Sequence, residues 1–315
     1  MKPTVVALAM LAPLTLLPSV VARAQSEAPP PPAATSPSAQ DPPPRNPPLT
    51  SGQIQTLVTR VIENQHRDDE ALKQYERKER IVSRRGKSTA SNEWTTEVVP
   101  ASVSILRVEL ERDGQAASAD VIEERWQQAI EALVRETKAD DSDVSQNGVP
   151  ESRLRRERYE MVGAVGRAFR FNWTGRVNQG GRGLLEFSFE PDPTYKSSKL
   201  FAIVYAHAVG TVWVDEASSQ VVRLDVRLKD DISFVGGLIA KVYRGAHATV
   251  QQEEVAAGVW EPTHYFFDFE GRKLVFGTLS GHEQMDASDY RRLGSPEEIL
   301  ATIRREHPGP AIGLR

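Results

Sequence analysis

The most informative absence in this chain of 315 residues is cysteine, which does not occur at all. Without thiols, the protein can form no disulfide, no thiolate zinc site, no iron–sulfur cluster and no cysteine nucleophile. An N-terminal lipoprotein anchor, which needs a cysteine, is not expected either. An exported protein of this kind would fold without depending on an oxidising compartment.

An excess of positive charge is also missing. Lysine and arginine number 39 against 43 aspartates and glutamates, and the formal net charge is −4. This balance does not attract a polyanion, so no nucleic-acid partner is expected. Two basic runs, at residues 77–87 and 153–158, are interleaved with glutamates. They are typical of a solvated strand face; a modest contact with an anionic headgroup or a protein is the alternative.

Long apolar runs are confined to the N-terminal end of the chain. Residues 5–21 are largely apolar, and residues 22–24 (A-R-A) match the A-x-A pattern that signal peptidase accepts. Two prolines divide the run into pieces shorter than the roughly 20 residues of a spanning helix. The sequence therefore predicts a signal peptide at residues 1–24, cleaved between Ala24 and Gln25. The product is expected to be periplasmic or secreted, with no transmembrane segment after cleavage.

The next segment, residues 25–48, is rich in proline and small polar residues. Such a composition cannot form a packed core, so a disordered leader is predicted. The remaining residues, 49–315, are a normal length for one large domain.

Three helices are predicted in this domain. The first has apolar residues at i, i+3, i+4, i+7 and i+8, with Thr50 or Ser51 as N-cap. The second is a helical insert near residues 118–138. The third begins with a capping box formed by Ser295 and Glu298. The apolar positions of the first helix are Ile54, Leu57, Val58, Val61 and Ile62.

Beyond residue 168 the apolar period changes from 3.6 to 2. Phe169, Phe171 and Trp173 alternate with polar residues, and similar stretches follow, separated by short turns. Successive alternating strands with tight turns indicate an antiparallel sheet with one apolar face. Together with the three helices, this pattern predicts the α+β class.

Recognisable catalytic motifs are lacking as well. Residues 86–88 (G-K-S) lack the upstream glycine of a phosphate-binding loop, and none of the six histidines belongs to an H-E-x-x-H motif. We therefore assign no catalytic residue, no metal site and no cofactor, and we expect a protein that is not an enzyme. The alternative is an exported hydrolase with an unrecognised site. That alternative would bring His207, His264 and Asp268 together in a cleft.

Aromatic side chains on the predicted strands are the candidate ligand-binding residues. Most are expected in a core covered by helices. If the sheet curves around the helices, however, it leaves an apolar cavity that would accept an acyl chain or a similar group. The nine candidates are Phe169, Phe171, Trp173, Phe187, Phe189, Trp213, Trp260, Phe267 and Phe269.

Three segments carry a resemblance to a known group of proteins. They are G-T-V-W-V-D-E at residues 210–216, V-V-R-L at 221–224 and G-V-W-E-P at 258–262. With the order of elements, they resemble the LolA-like periplasmic lipoprotein-carrier superfamily. The resemblance covers about residues 50–292. It implies an incomplete, strongly curved antiparallel β-barrel closed by helices, whose apolar interior shields lipid-type ligands.

The function expected from these observations is that of a non-catalytic periplasmic binding or carrier protein. Its partner would be a lipid or acylated ligand. One alternative is an envelope sensor or protein-interaction module with a filled core, which would dock an envelope protein. The other is the hydrolase described above.

Overall fold

One antiparallel sheet runs through the chain, and helices pack against it. The computed structural model describes residues 47–85, 90–100, 105–136, 151–234, 240–273 and 277–308. The helices in these residues are α1 (Ser51–Ala71), α2 (Ala119–Glu136), α3 (Glu151–Ala168), α4 (Leu200–Tyr205) and α5 (Pro296–Glu306), with a short 3-10 turn at Leu72–Gln74. The strands are β1 (Tyr75–Arg85), β2 (Asn92–Pro100), β3 (Ile105–Arg112), β4 (Gln115–Ala116), β5 (Phe169–Gln179), β6 (Arg182–Pro191), β7 (Ala208–Asp215), β8 (Val221–Leu228), β9 (Ile232–Phe234), β10 (Ala240–Val242), β11 (His247–Ala256), β12 (Val259–Lys273) and β13 (Gly277–Arg292).

The sheet is open. Its strand order is β4-β3-β2-β1-β13-β12-β11-β8-β7-β6-β5, with the β9–β10 pair attached to β12. Every pair is antiparallel, and the two end strands do not pair with each other within the described residues. The predicted α+β class, an incomplete antiparallel barrel with helices, is thus confirmed.

Helix α1 forms as the sequence predicts. The Thr50 hydroxyl accepts from the backbone N–H of Gln53, whose side chain in turn accepts from the N–H of Thr50. This capping box satisfies backbone donors that a helix N-terminus leaves free. The apolar stripe of α1 then faces the sheet.

Helix α3 lies close against α1, and a glycine permits the close approach. A Cβ atom added at Gly166 would lie 3.2 Å from Val58 Cγ1 and 3.4 Å from Ile62 Cδ1. A larger residue there would require these two side chains to shift by a few tenths of an ångström. The two helices are also joined by an ion pair between Arg158 and Asp69 (Nη2 to Oδ1, 2.7 Å).

At the other end of the sheet, α2 and α5 cover β2 and β3 with a filled apolar core. Trp126, Leu133, Ile299 and Ile303 are each at most 1% exposed there. The Trp126 ring stacks on that of His307 with centroids 4.0 Å apart. The capping box of Ser295 and Glu298, predicted from the sequence, begins α5. The predicted helical insert is α2.

Two expectations about the basic runs are wrong. The run at residues 153–158 lies in α3 and not on a strand, so the chain has a helix that we did not predict. In the other run, on β1, Arg77 is not solvated: it is 3% exposed and pairs with Glu79, which is fully buried (Nη2 to Oε1, 2.6 Å). A buried carboxylate explains why an arginine can leave water at this position.

Some sequence expectations fall on residues outside the described part of the chain. These are the signal peptide at residues 1–24, almost all of the leader at 25–48, and the G-K-S segment at 86–88.

Candidate functional site: an apolar cavity under the sheet

An apolar cavity of about 180 Å³ lies between the sheet and helices α1 and α3. Helix α4 and six strands complete its wall. The apolar residues that α1 and α3 contribute are Ile54, Leu57, Val58, Val61, Ile62, Met161, Val162 and Val165, and those of β7 and β8 are Ala208, Val212, Val214, Val221, Leu224, Val226 and Leu228.

The composition of this wall shows that the sheet is curved. Strands β12, β11, β8, β7, β6 and β5 follow one another in the sheet, and all six border the same cavity. A flat sheet of six strands would be about 24 Å wide, far wider than a cavity of this volume. The strands therefore curl around α1.

One glycine on the wall is required by this packing. A Cβ atom at Gly210 on β7 would lie 1.9 Å from the backbone oxygen of Asp225 on β8. No side chain fits there without separating the two strands. This explains the glycine of the G-T-V-W-V-D-E segment in structural terms.

The polar side chains that border the cavity all have protein partners. The Gln65 and Gln252 amides bond to each other (Nε2 to Oε1, 3.1 Å), and the Thr249 hydroxyl donates to Asp225. The two tyrosine hydroxyls are also satisfied: Tyr205 donates to the carbonyl oxygen of Met161 and Tyr265 to Glu283. The cavity consequently presents apolar surface, which favours apolar contents.

Five of the nine aromatic candidates border this cavity. Four of them lie on the adjacent strands β5 and β6, with Phe171 opposite Phe189 in the register, and the fifth lies on β12. The Phe189 ring meets the rings of Phe169 and Phe171 edge-on or tilted, as aromatic pairs prefer. The five are Phe169, Phe171, Phe187, Phe189 and Phe267.

The other four candidates do not border it. Trp173 lies behind Phe187, with ring centroids 5.5 Å apart, and Phe269 is buried in a separate apolar cluster with β9 and β10. Trp213 alternates with the inward-facing valines of β7 and lies under the guanidinium of Arg223. Trp260 borders a second concavity, described below.

The helical half of the wall was not predicted from the sequence. The apolar face of α1 was predicted, but not as part of a ligand site. In α3, Met161, Val162 and Val165 carry a short helical spacing that could have revealed the element. Its first half, E-S-R-L-R-R-E-R-Y-E, hides that signal because it has little apolar content.

The three groups that would mark a hydrolase have separate partners. His264 pairs with Asp286 (Nδ1 to Oδ1, 2.7 Å), not with Asp268. Asp268 lies 3.5 Å from His282, and His207 lies 3.5 Å from Asp230. Within the described residues, no three acidic or histidine side chains are grouped so that they could hold a metal ion.

Two buried carboxyl groups lie next to Gln65 and Gln252, the two residues that form what we call the polar end of the cavity. Asp68 on α1 is 1% exposed and accepts from the Gln220 side chain at 2.7 Å. Glu261 on β12 is equally buried, and its Oε1 has no hydrogen-bond partner among the described residues. Burial raises the pKa of Asp68 and holds that of Glu261 well above its ordinary value; Arg77 opposes the latter shift.

A second buried group joins β1 to β3. Glu79 accepts from both Arg77 and Arg107, and their charges lower its pKa although burial acts in the opposite direction. This cluster lies between the cavity side of the sheet and the filled core under α2.

No protein-family model and no curated protein matches the chain. Solved structures that resemble it include LolA superfamily protein NE2245 from Nitrosomonas europaea (TM-score 0.30, 9% identity, 78% of this chain and 96% of that one). A second is a putative outer membrane lipoprotein-sorting protein domain from Vibrio parahaemolyticus (0.30, 8%, 79% and 100%). A third is the MucA/MucB complex of Pseudomonas aeruginosa (0.24, 9%, 78% and 96%).

The first of the three is itself a LolA superfamily protein. Likenesses at this level of identity and TM-score do not determine a ligand, a partner or an activity. The ligand class is therefore inferred from the side chains that line the cavity.

Among the described helices, none combines the length and the apolar character needed to cross a membrane.

Proposed function

We propose that this protein is a non-catalytic, exported binding protein that shields a hydrophobic or lipidated ligand in the cavity under the sheet. The supporting observation is the cavity wall, which is apolar and whose polar side chains are paired within the protein. A void with such a wall stays dry, and its filling by an apolar group is favourable in free energy. The signal-peptide pattern of residues 1–24 supports export.

The volume limits what the cavity holds in this conformation. An engineered cavity of about 150 Å³ binds benzene, so 180 Å³ suits an apolar group of similar or slightly larger size. Typical ligand pockets are larger, at about 300–1,000 Å³. A long acyl chain would therefore need α1 and α3 to separate further from the sheet. Short-chain probes test the cavity as it stands.

The first prediction concerns a substitution that fills the cavity. Ala248 on β11 borders the cavity, so Ala248→Phe should occupy the space and weaken binding of 1-octanol at least tenfold. Isothermal titration would measure this affinity, and circular dichroism would check the fold. The matched control is Val177→Phe on β5, at an exposed position outside the cavity.

Undiminished octanol binding by a folded Ala248→Phe variant would contradict the proposal. A wild-type protein that ignores octanol would instead favour the sensor or protein-interaction alternative, which requires no apolar ligand.

A further inference from the structure

A second concavity, of about 400 Å³, opens beside the polar end of the cavity. It lies where α1 meets the β5–β6, β7–β8 and β11–β12 turns. We call it the arginine cleft; its residues are Asn64, Arg67, Arg182, Asp215, Ala217, Ser218, Gln220, Glu254, Gly258 and Trp260.

The arginine cleft and the cavity are immediate neighbours along three stretches of chain. On α1, Asn64 borders the cleft and Gln65 the cavity. At the ends of β7 and β8, residues 214 and 221 border the cavity, whereas 215 and 220 border the cleft. The two hollows are therefore built on the same segments of α1, β7 and β8.

Two guanidinium groups in the cleft have hydrogen-bond donors to spare. The guanidinium of Arg182 lies 5.2 Å from the centroid of the Trp260 ring, a contact that holds its position without using its N–H groups. Arg67 is 58% exposed, and its contact with Asp68 at 3.6 Å is too long for a hydrogen bond. Among the described residues, none accepts a hydrogen bond from either group.

The acidic side chains of the cleft, in contrast, are engaged with the backbone. Asp215 Oδ1 accepts from the N–H groups of Ala217 at 3.1 Å and Ser218 at 2.7 Å. Glu254 Oε1 accepts from the N–H of Gly258 at 2.8 Å. These carboxylates hold the turns, and the free donors that a ligand would meet are the two guanidiniums.

We infer that the arginine cleft binds the carboxylate or phosphate head of an amphiphile whose apolar part lies in the cavity. The inference rests on the proposed function and adds the chemical class of the ligand. Guanidinium forks bind both carboxylates and phosphates through paired, charge-assisted hydrogen bonds. The expected ligand is thus an anionic amphiphile and not a neutral one.

Three probes with eight carbon atoms each test the inference: 1-octanol, octanoate and octyl phosphate. Octanoate or octyl phosphate should bind more tightly than octanol to the wild-type protein. Arg67→Gln and Arg182→Gln should each weaken binding of the anionic probe about tenfold, as expected for a lost hydrogen bond to a charged group. Octanol affinity should not change in either variant.

The matched control is Arg223→Gln. Arg223 lies 5.3 Å from the centroid of the Trp213 ring, on a strand outside the cleft, and differs from Arg182 in donating to Asp225 (Nη2 to Oδ2, 2.8 Å). Its substitution should leave all three affinities unchanged. Whichever anionic probe responds more strongly to Arg182→Gln identifies the head group.

The outcomes separate the two proposals. Octanol binding with no preference for the anions, or an equal loss in Arg223→Gln, would overturn the cleft inference and leave the apolar cavity intact. Failure of octanol to bind the wild-type protein would overturn the proposed function itself.

Discussion

Two regions of this molecule have similar apolar side chains, but one is filled and the other contains a void. Under α2 and α5, a tryptophan and aliphatic residues fill the space above β2 and β3 and are almost completely buried. Under α1 and α3, phenylalanines and valines of six strands leave a void of about 180 Å³. The comparison shows that apolar composition alone does not determine whether a layer is filled.

The void reduces the stability of the protein. Side chains around the void lack packing partners on one side, and a ligand that fills the void would supply these contacts.

The largest expected effect is in the filled region. Trp126→Ala should lower the free energy of unfolding by about 3–5 kcal/mol, because it leaves a new cavity beneath α2. Phe189→Ala, at the cavity wall, should cost less, because one side of that ring already borders empty space. Urea unfolding would measure both losses, and octanol affinity should change only in the second variant. Equal losses of unfolding free energy in the two variants would contradict the difference in packing between the two regions.

A matched pair of smaller substitutions should have opposite signs. Val108→Ile adds a methylene to the filled core and should destabilise by about 1–3 kcal/mol. Val212→Ile adds the same group beside the cavity and should stabilise by up to about 0.8 kcal/mol. Thermal unfolding of both variants would test this. A destabilising Val212→Ile would mean that the void cannot accept even one methylene.

The buried carboxyl group of Glu261 should make the free energy of unfolding depend on pH. Glu261 has a raised pKa in the folded protein, so the folded chain binds more protons than the unfolded chain above the ordinary pKa near 4.5. Its contribution to stability is therefore present in acid and lost as the pH rises toward the folded pKa. Glu261→Gln keeps the volume and removes this loss, so its stability relative to wild type should increase from acid to neutral pH.

Urea titrations of both proteins between about pH 4 and 8 would measure this difference. Comparison with wild type isolates Glu261 from Glu79, whose lowered pKa acts in the opposite sense. Parallel profiles for the two proteins would show that Glu261 does not lose a proton over this range.

Much of the fold could be predicted because its strands carry clear local signals. Phe169, Phe171 and Trp173 alternate with polar residues in β5, and capping boxes define the starts of α1 and α5. Helix α3 was missed because its charged first half conceals the short apolar stripe of its second half. The basic run at residues 77–87 was expected on a strand face, but the burial of Arg77 depends on its ion pair with Glu79, which also binds Arg107 on β3 through long-range strand pairing.

The candidate site was predictable only in part. The aromatic residues were visible in the sequence, but alternation alone does not say which face of a curved sheet encloses a void. Trp213 shows the problem: it belongs to β7 like Val212, yet points to the opposite face. The arginine cleft joins Arg67 to Arg182, 115 positions later, and no local pattern reveals such a contact.

The most direct test of the account is mass spectrometry of the protein purified natively without detergent, followed by extraction with organic solvent. The account predicts a stoichiometric, anionic amphiphile that leaves the protein on extraction and whose place 1-octanol or a fluorescent fatty acid can take. An empty protein that also binds neither probe would contradict the claim that the cavity under the sheet is a ligand site.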